Sequence, residues 1–223
     1  MRKSIKRLLK KLLGLVGWRR TPWDGTHQGS FKRNKERIFA GDIPERYKEL
    51  SSLIPGNRIL DVGSADGTLA LHLSATREHV YGVEQSLPRY QTATALQKTW
   101  SDRTGGYRNC TFLNASLLDK PELFEDVDTV TFIRVIYHLG EHADGIMRKI
   151  REKQNIRNVV LCGNRSKEMR LQNGENFKQL GDYARLATEE GMVHLLKHYG
   201  FWVDPPIRLE STGDCLVIGH RPY

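Results

Sequence analysis

Arg58-Ile-Leu-Asp-Val-Gly-Ser-Ala-Asp-Gly-Thr68 decides the architecture, because an apolar strand here stops in a loop of small residues that leads directly into a helix. Ile59, Leu60 and Val62 supply the strand, and Leu69-Ala-Leu-His-Leu-Ser74 opens an apolar pattern of helical period. Between them Gly63, Ser64, Ala65 and Gly67 carry almost no side chain. A strand-to-helix junction of this kind turns free backbone N–H groups toward a ligand, and small residues let that ligand come close.

Downstream, His79-Val-Tyr-Gly-Val-Glu84 reads as a short strand ending in an acid about 20 residues after the glycines, the separation at which a carboxylate accepts both hydroxyls of a ribose. A dinucleotide loop requires Gly-x-Gly-x-x-Gly to pass a pyrophosphate, and Gly63-x-x-x-Gly67 lacks both that spacing and the middle glycine. The pattern therefore points to a nucleoside cofactor other than NAD.

Asp61, Gly63, Ala65 and Gly67 resemble motif I, acid-x-Gly-x-Gly-x-Gly, of the class I S-adenosylmethionine (SAM) methyltransferases, with alanine in place of one glycine. The resemblance spans residues 56 to 219 and implies a doubly wound α/β fold: a mostly parallel seven-stranded sheet, helices on both faces and a C-terminal β-hairpin. It implies SAM as cofactor, with Glu84 and its neighbour Gln85 at the ribose. Cys110-Thr-Phe-Leu-Asn-Ala-Ser116-Leu117 resembles the strand and turn beside the adenine, which assigns Ser116 and the backbone of Leu117 to that ring. Many relatives carry an aspartate at the Ser116 position, and a neutral hydroxyl makes a weaker bond than a carboxylate. An ordinary turn residue is the other reading of Ser116.

Asp128-Thr-Val-Thr-Phe-Ile-Arg-Val-Ile-Tyr-His-Leu139 looks like the family's fourth strand and the loop after it, nearly continuously apolar as a strand covered on both faces should be. By resemblance, the backbone of Arg134 lines the methionine end of SAM, and Tyr137 and His138 lie where the methyl group departs. The reaction implied is in-line attack on the methyl group by an acceptor oxygen, nitrogen or carbon, in which positioning and desolvation carry most of the catalysis. A hydroxyl acceptor must also lose a proton; His138 is the candidate base, and packing of the loop is the alternative role. A helix over 143–153, a strand over 158–162, a helix over 188–199 and strands over 207–209 and 215–219 complete the alternation.

Outside that core, eight basic residues and no acid fall within residues 1–20, so nearly all of the net charge of +9 belongs to this segment and the body is close to neutral. Ile5, Leu8, Leu9, Leu12, Leu13, Leu15 and Val16 fill an arc of roughly 160° on a helical wheel, with the basic residues opposite. This is the pattern of a helix lying in an anionic membrane interface, where each Lys or Arg contributes about 1 kcal/mol. Docking on a partner protein and organelle targeting are the alternatives. Residues 21–55 read as a Gly/Pro-rich linker followed by a helix from Lys32 to about Leu53 that covers the cofactor, ahead of the methyltransferase domain over 56–223.

Two stretches are candidates for acceptor binding. Trp23, His27 and Phe31 occupy the region that shapes the acceptor pocket in the family, and serve equally as a tether with aromatic plugs. Residues 163–177 read as a long polar insertion whose Arg165 and Arg170 suit an anionic group, with Tyr183 and Arg185 closing the pocket; a solvated charged loop is the alternative. Together with the basic N-terminal segment this predicts an anionic, glycan-linked or lipid-linked acceptor at the cytoplasmic face of a membrane, as for enzymes modifying envelope glycans. The 135–138 and 181–185 regions also look similar to transferases acting on wobble uridine of tRNA, but a near-neutral body is poorly suited to phosphate. A noncatalytic scaffold is the third reading, favoured by Ala65 and Ser116. Cys110, Cys162 and Cys215 show no paired spacing and read as buried thiols. The His138–His142 and His194–His198 pairs are not expected to bind metal, since Gly140 interrupts the first and the second reads as the edge of a surface helix.

Overall fold

The computed structural model describes residues 35–175 and 180–222. The chain divides into two units, residues 1–40 and 41–223. In the first, the described residues include a helical turn over 35–39. The basic amphipathic segment and Trp23, His27 and Phe31 lie outside the described residues.

The second unit opens with α1 (Glu45–Leu53), and the continuous helix expected from Lys32 to Leu53 is broken. Gly41 takes φ +91° and Pro44 stands immediately before α1. Proline has no N–H to give a preceding turn and drives the residue before it out of helical conformation, so the chain must restart there.

Then follow β1 (Arg58–Val62), α2 (Thr68–Ser74), β2 (His79–Val83), α3 (Leu87–Thr104), β3 (Cys110–Leu113), β4 (Thr129–Ile133), α4 (His142–Glu152) and β5 (Asn158–Cys162). These five strands are parallel, in the order β3-β2-β1-β4-β5. Strand order reverses at β1, which pairs with β2 on one side and β4 on the other, so a crevice opens beyond its carboxyl end, where open α/β sheets bind ligands.

Both faces of the sheet are covered. Leu60, Val62, Val130, Phe132, Val159 and Leu161 point to one face and pack with Ile146, Met147 and Ile150 of α4 and Met192 and Leu196 of a later helix. On the other face α2 rests on β2 and β3, and α1 rests on α2. The central strands β1, β4 and β5 are buried along nearly their whole length without alternation, Asp61, Thr129 and Thr131 being the buried polar members, as expected of strands covered on both sides.

After β5 come α5 (Arg165–Gln172), α6 (Glu189–His198), β6 (Trp202–Val203), β7 (Ile207–Arg208) and β8 (Cys215–His220). The hairpin of β7 and β8 is present, with Arg208 opposite Cys215. Among the described residues the sheet has eight strands and not seven: β8 runs antiparallel between β5 and β6, and β6 pairs Trp202 with His220 and Val203 with Gly219. Two residues are too few to show a sequence period, which is why β6 escapes the sequence reading. Nor is the insertion after β5 a loop where the structure describes it, since Arg165–Gln172 is helical. Asn164 accepts the N–H of Lys167 at 3.2 Å and caps α5, a polar helix with little apolar face to betray it. The three cysteines are buried free thiols, and His194 and His198 stand on the exposed side of α6 with ring centroids 6.3 Å apart.

Candidate cofactor and acceptor site

The loop after β1 is a succession of left-handed turns: Gly63 at φ +69°, Ala65 at +52° and Gly67 at +76°. The N–H groups of Gly63 and Ser64 both bond the Val83 carbonyl, at 2.8 and 3.1 Å, which ties the loop to the end of β2. A Cβ at Gly63 would lie 2.5 Å from Val135, and one at Gly67 would lie 2.5 Å from Phe112 and 2.7 Å from Ala93. These glycines therefore make room for the protein's own side chains. Ala65 is the surprise, since an L-residue occupies a conformation that glycine adopts without strain.

Glu84, buried at the end of β2, holds this loop. One carboxylate oxygen accepts the Ala65 N–H at 3.0 Å and the other accepts the Ser86 N–H at 2.8 Å. Each oxygen keeps a lone pair for a hydroxyl donor. Gln85 beside it is exposed, its carbonyl taking a hydrogen bond from the Asn114 amide at 3.2 Å. The Ser64 hydroxyl oxygen is buried and has no hydrogen-bond partner among the described residues. Asp61, under the loop, accepts the Thr131 hydroxyl at 2.9 Å, yet burial first, then the charges of Glu84 and Asp66, push its pKa from 3.8 up to about 7. The Ser116 hydroxyl accepts the Leu118 N–H at 3.3 Å and caps the short turn Leu117–Asp119, with Leu117 buried.

At the tip of β4, Arg134 also adopts a left-handed conformation, φ +59°. Its guanidinium Nε donates to Asp214 at 2.7 Å, and the other Asp214 oxygen accepts the Arg165 N–H at 2.9 Å. The turn Ile136–His138 follows. Tyr137 is fully buried in the core, with Lys167 Nζ 4.7 Å from its ring centroid, so in this structure it offers no surface to an acceptor. Among the described residues its hydroxyl has no partner of bonding geometry, and burial raises its pKa, partly offset by Asn164. His138 is half-buried, its ring 4.3 Å from that of Tyr137.

Helix α1 brings in two residues that sequence reasoning missed, Arg46 and Tyr47. Both are half-buried, and the Tyr47 ring lies 4.7 Å from the Arg46 guanidinium. Burial lifts the Tyr47 pKa to about 12, with a further push from Asp66. Arg46 lies within electrostatic reach of Asp66, Cys162 and Asp214. Asp66 is itself held by Thr68, whose N–H and hydroxyl it accepts at 3.0 and 2.5 Å. No local pattern marks a helix that reaches across from another part of the chain.

The acceptor candidates after β5 are differently disposed. Arg165 bonds the buried Glu168 at 3.2 Å, and Arg170 bonds Glu175 at 2.6 Å, so both charges are paired within the chain. Tyr183 is half-buried and Arg185 exposed, in the short helical segment Gly181–Ala187. Among the described residues, no three His, Cys, Asp or Glu gather as a metal site would require.

Neither a protein-family model nor a curated protein matches the sequence. The fold is matched by solved structures. The methyltransferase domain of bacterial CtHen1-C superposes with TM-score 0.61 at 18% identity, covering 80% of this chain and 98% of that one. Magnesium protoporphyrin IX methyltransferase from Synechocystis PCC 6803, solved with SAM, gives 0.54 at 18% identity over 99% and 97%. A TehB-like SAM-dependent methyltransferase from Corynebacterium glutamicum gives 0.54 at 14% identity over 89% and 100%. The chain has the Rossmann-like fold of the SAM-dependent methyltransferases.

Proposed function

We propose that this protein is a SAM-dependent methyltransferase that binds its cofactor in the crevice beyond β1. The observation that carries this is the left-handed loop 63–67 bonded through Ala65 to Glu84 at the point where strand order reverses. The residues fit the cofactor: Glu84 has free lone pairs for the ribose, and the buried Ser64 hydroxyl lacks a partner that a ligand would supply. When bound, SAM supplies a methyl group on a sulfonium, already activated for transfer. The chain's own residues then orient, exclude water and handle a proton. Glu84 fixes the loop, Arg134 shapes the wall at the tip of β4, and His138 takes the proton of a hydroxyl acceptor.

The finer reading is an acceptor held at a membrane surface, a lipid-linked sugar, envelope glycan or lipid, recruited by the basic amphipathic residues 1–20. Its support is the concentration of nearly all net charge in that segment. Calorimetry with S-adenosylhomocysteine tests the first part: binding to the wild type that is lost in both Gly63→Arg and Glu84→Ala is expected, and full affinity in both variants refutes the placement. Transfer of labelled methyl groups into membrane extract tests the second, because equal rates with and without residues 1–20 would remove the membrane.

A further inference from the structure

We propose that Lys167 on α5 recognises an anionic substituent of the acceptor, a phosphate or a carboxylate, an inference that rests on reading the protein as a methyltransferase with His138 on the acceptor side. Lys167 Nζ lies 4.7 Å from the ring centroid of Tyr137, in the turn that follows β4. Tyr137 itself is sealed in the core, but Lys167 is half-buried and keeps a surface. An aromatic face under an ammonium fixes where the charge stands without neutralising it.

The first turn of α5 is fastened to the strand tips. The Arg165 N–H donates to Asp214 at 2.9 Å, and Asp214 is paired with Arg134 at the end of β4. The Lys167 N–H donates to the Asn164 side chain at 3.2 Å. The segment Gly181–Ala187 packs against both α5 and the turn Ile136–His138. Lys167 therefore belongs to a junction of three segments that also holds His138, whose ring is 4.3 Å from that of Tyr137. A cation fixed in this way recognises an anion at a small ordering cost.

The arginines around it serve the fold. Arg165 and Arg208 pair with Glu168, Arg170 with Glu175 and Arg134 with Asp214. Lys167 stands in another setting: burial first, then the charge of Arg170, lowers its pKa. An anion arriving at Nζ offsets both, because an opposite charge favours the ammonium form. The junction is also short of a hydrogen bond, since the buried Tyr137 hydroxyl has no partner of bonding geometry among the described residues. An ammonium is a point charge with three donors, and it suits a phosphate and a carboxylate alike.

Calorimetry on the full chain loaded with S-adenosylhomocysteine tests this with inorganic phosphate and glucuronate as probes. The proteins are wild type, Lys167→Gln, Lys167→Arg and, as a control for surface charge at large, Lys197→Gln on the exposed side of α6. Wild type is expected to bind at least one of the two anions, Lys167→Gln to lose about 10-fold or more, and Lys167→Arg and Lys197→Gln to keep most of the affinity. Binding of phosphate alone supports a phosphorylated acceptor, and binding of glucuronate alone a sugar acid. Equal anion affinity in Lys167→Gln and wild type, an equal loss in Lys197→Gln, or a wild type that binds neither anion overturns the proposal. Should Lys167→Gln fail to fold, the unmutated protein decides. Acetylation of Lys167 by acetic anhydride, read by peptide mass spectrometry, is expected to fall when the anion is bound, and unchanged acetylation overturns the proposal. The crevice is judged separately: a wild type that does not bind S-adenosylhomocysteine refutes the cofactor site, and the anion titrations are then made on the unloaded chain with the same criteria.

Discussion

Asp214 at the start of β8 and Arg134 at the end of β4 form an ion pair in which the carboxylate is 1% exposed and the arginine backbone is left-handed. The two lie 80 residues apart and join the antiparallel half of the sheet to the strand tip that borders the crevice. Because Asp214 also accepts the Arg165 N–H, it sets the start of α5. Removing the acid leaves a buried guanidinium uncompensated. Asp214→Asn is expected to lose about 3 kcal/mol in urea unfolding, and Asp214→Asn with Arg134→Met to recover most of it. A double variant as unstable as the single one would show that the pair's charge is not what holds the junction.

Gly67 tests whether the motif glycines serve the ligand or the fold. An added Cβ would meet Phe112 and Ala93 inside contact distance, at a φ of +76°. Gly67→Ala should therefore destabilise the protein by about 2 kcal/mol even without ligand, and Phe112→Leu should restore part of the loss. Normal unfolding of Gly67→Ala with weakened nucleoside binding would return this glycine to the ligand.

Much of this arrangement is legible in the sequence because it depends on short-range rules. The strand that stops before Gly63, the acid closing β2 and the mainly apolar β4 and β5 are each local patterns, and the residues that form them lie where those patterns place them. What escapes is non-local or too short. Arg46 comes from a helix before β1, Asp214 reaches Arg134 across β5, and neither placement leaves a periodic mark. The polarity of α5 hides a helix because its first turn is held by the Asn164 cap instead of an apolar face. The Glu168 pairing of Arg165 likewise follows from folding and not from spacing alone, since Arg208, 40 residues away, shares the same carboxylate.

Ala65 occupies the middle of the left-handed loop at φ +52° while its N–H bonds Glu84. Glycine would adopt that conformation without the Cβ penalty, although the unfolded chain gains freedom. Ala65→Gly is expected to raise stability by up to about 1 kcal/mol, read from the thermal midpoint, and to leave S-adenosylhomocysteine binding intact. A fall in stability would mean that the methyl group packs better than its backbone costs.

Asp61 gives the protein a pH dependence of definite sign. Its pKa rises from 3.8 to about 7 on folding, because burial and the neighbouring Glu84 and Asp66 oppose its charge more than Thr131 and Arg46 favour it. The folded state therefore binds a proton that the unfolded state has released between those values. This contribution to stability is complete below about pH 4 and is lost as pH rises through 7, by an amount on the order of 2–4 kcal/mol. Asp61→Asn keeps an acceptor for the Thr131 hydroxyl but cannot titrate. Urea unfolding at pH 5 and pH 8 should show the variant gaining on the wild type at the higher pH, and a difference between them that does not change with pH would place the Asp61 carboxylate in a better-solvated setting than its burial implies.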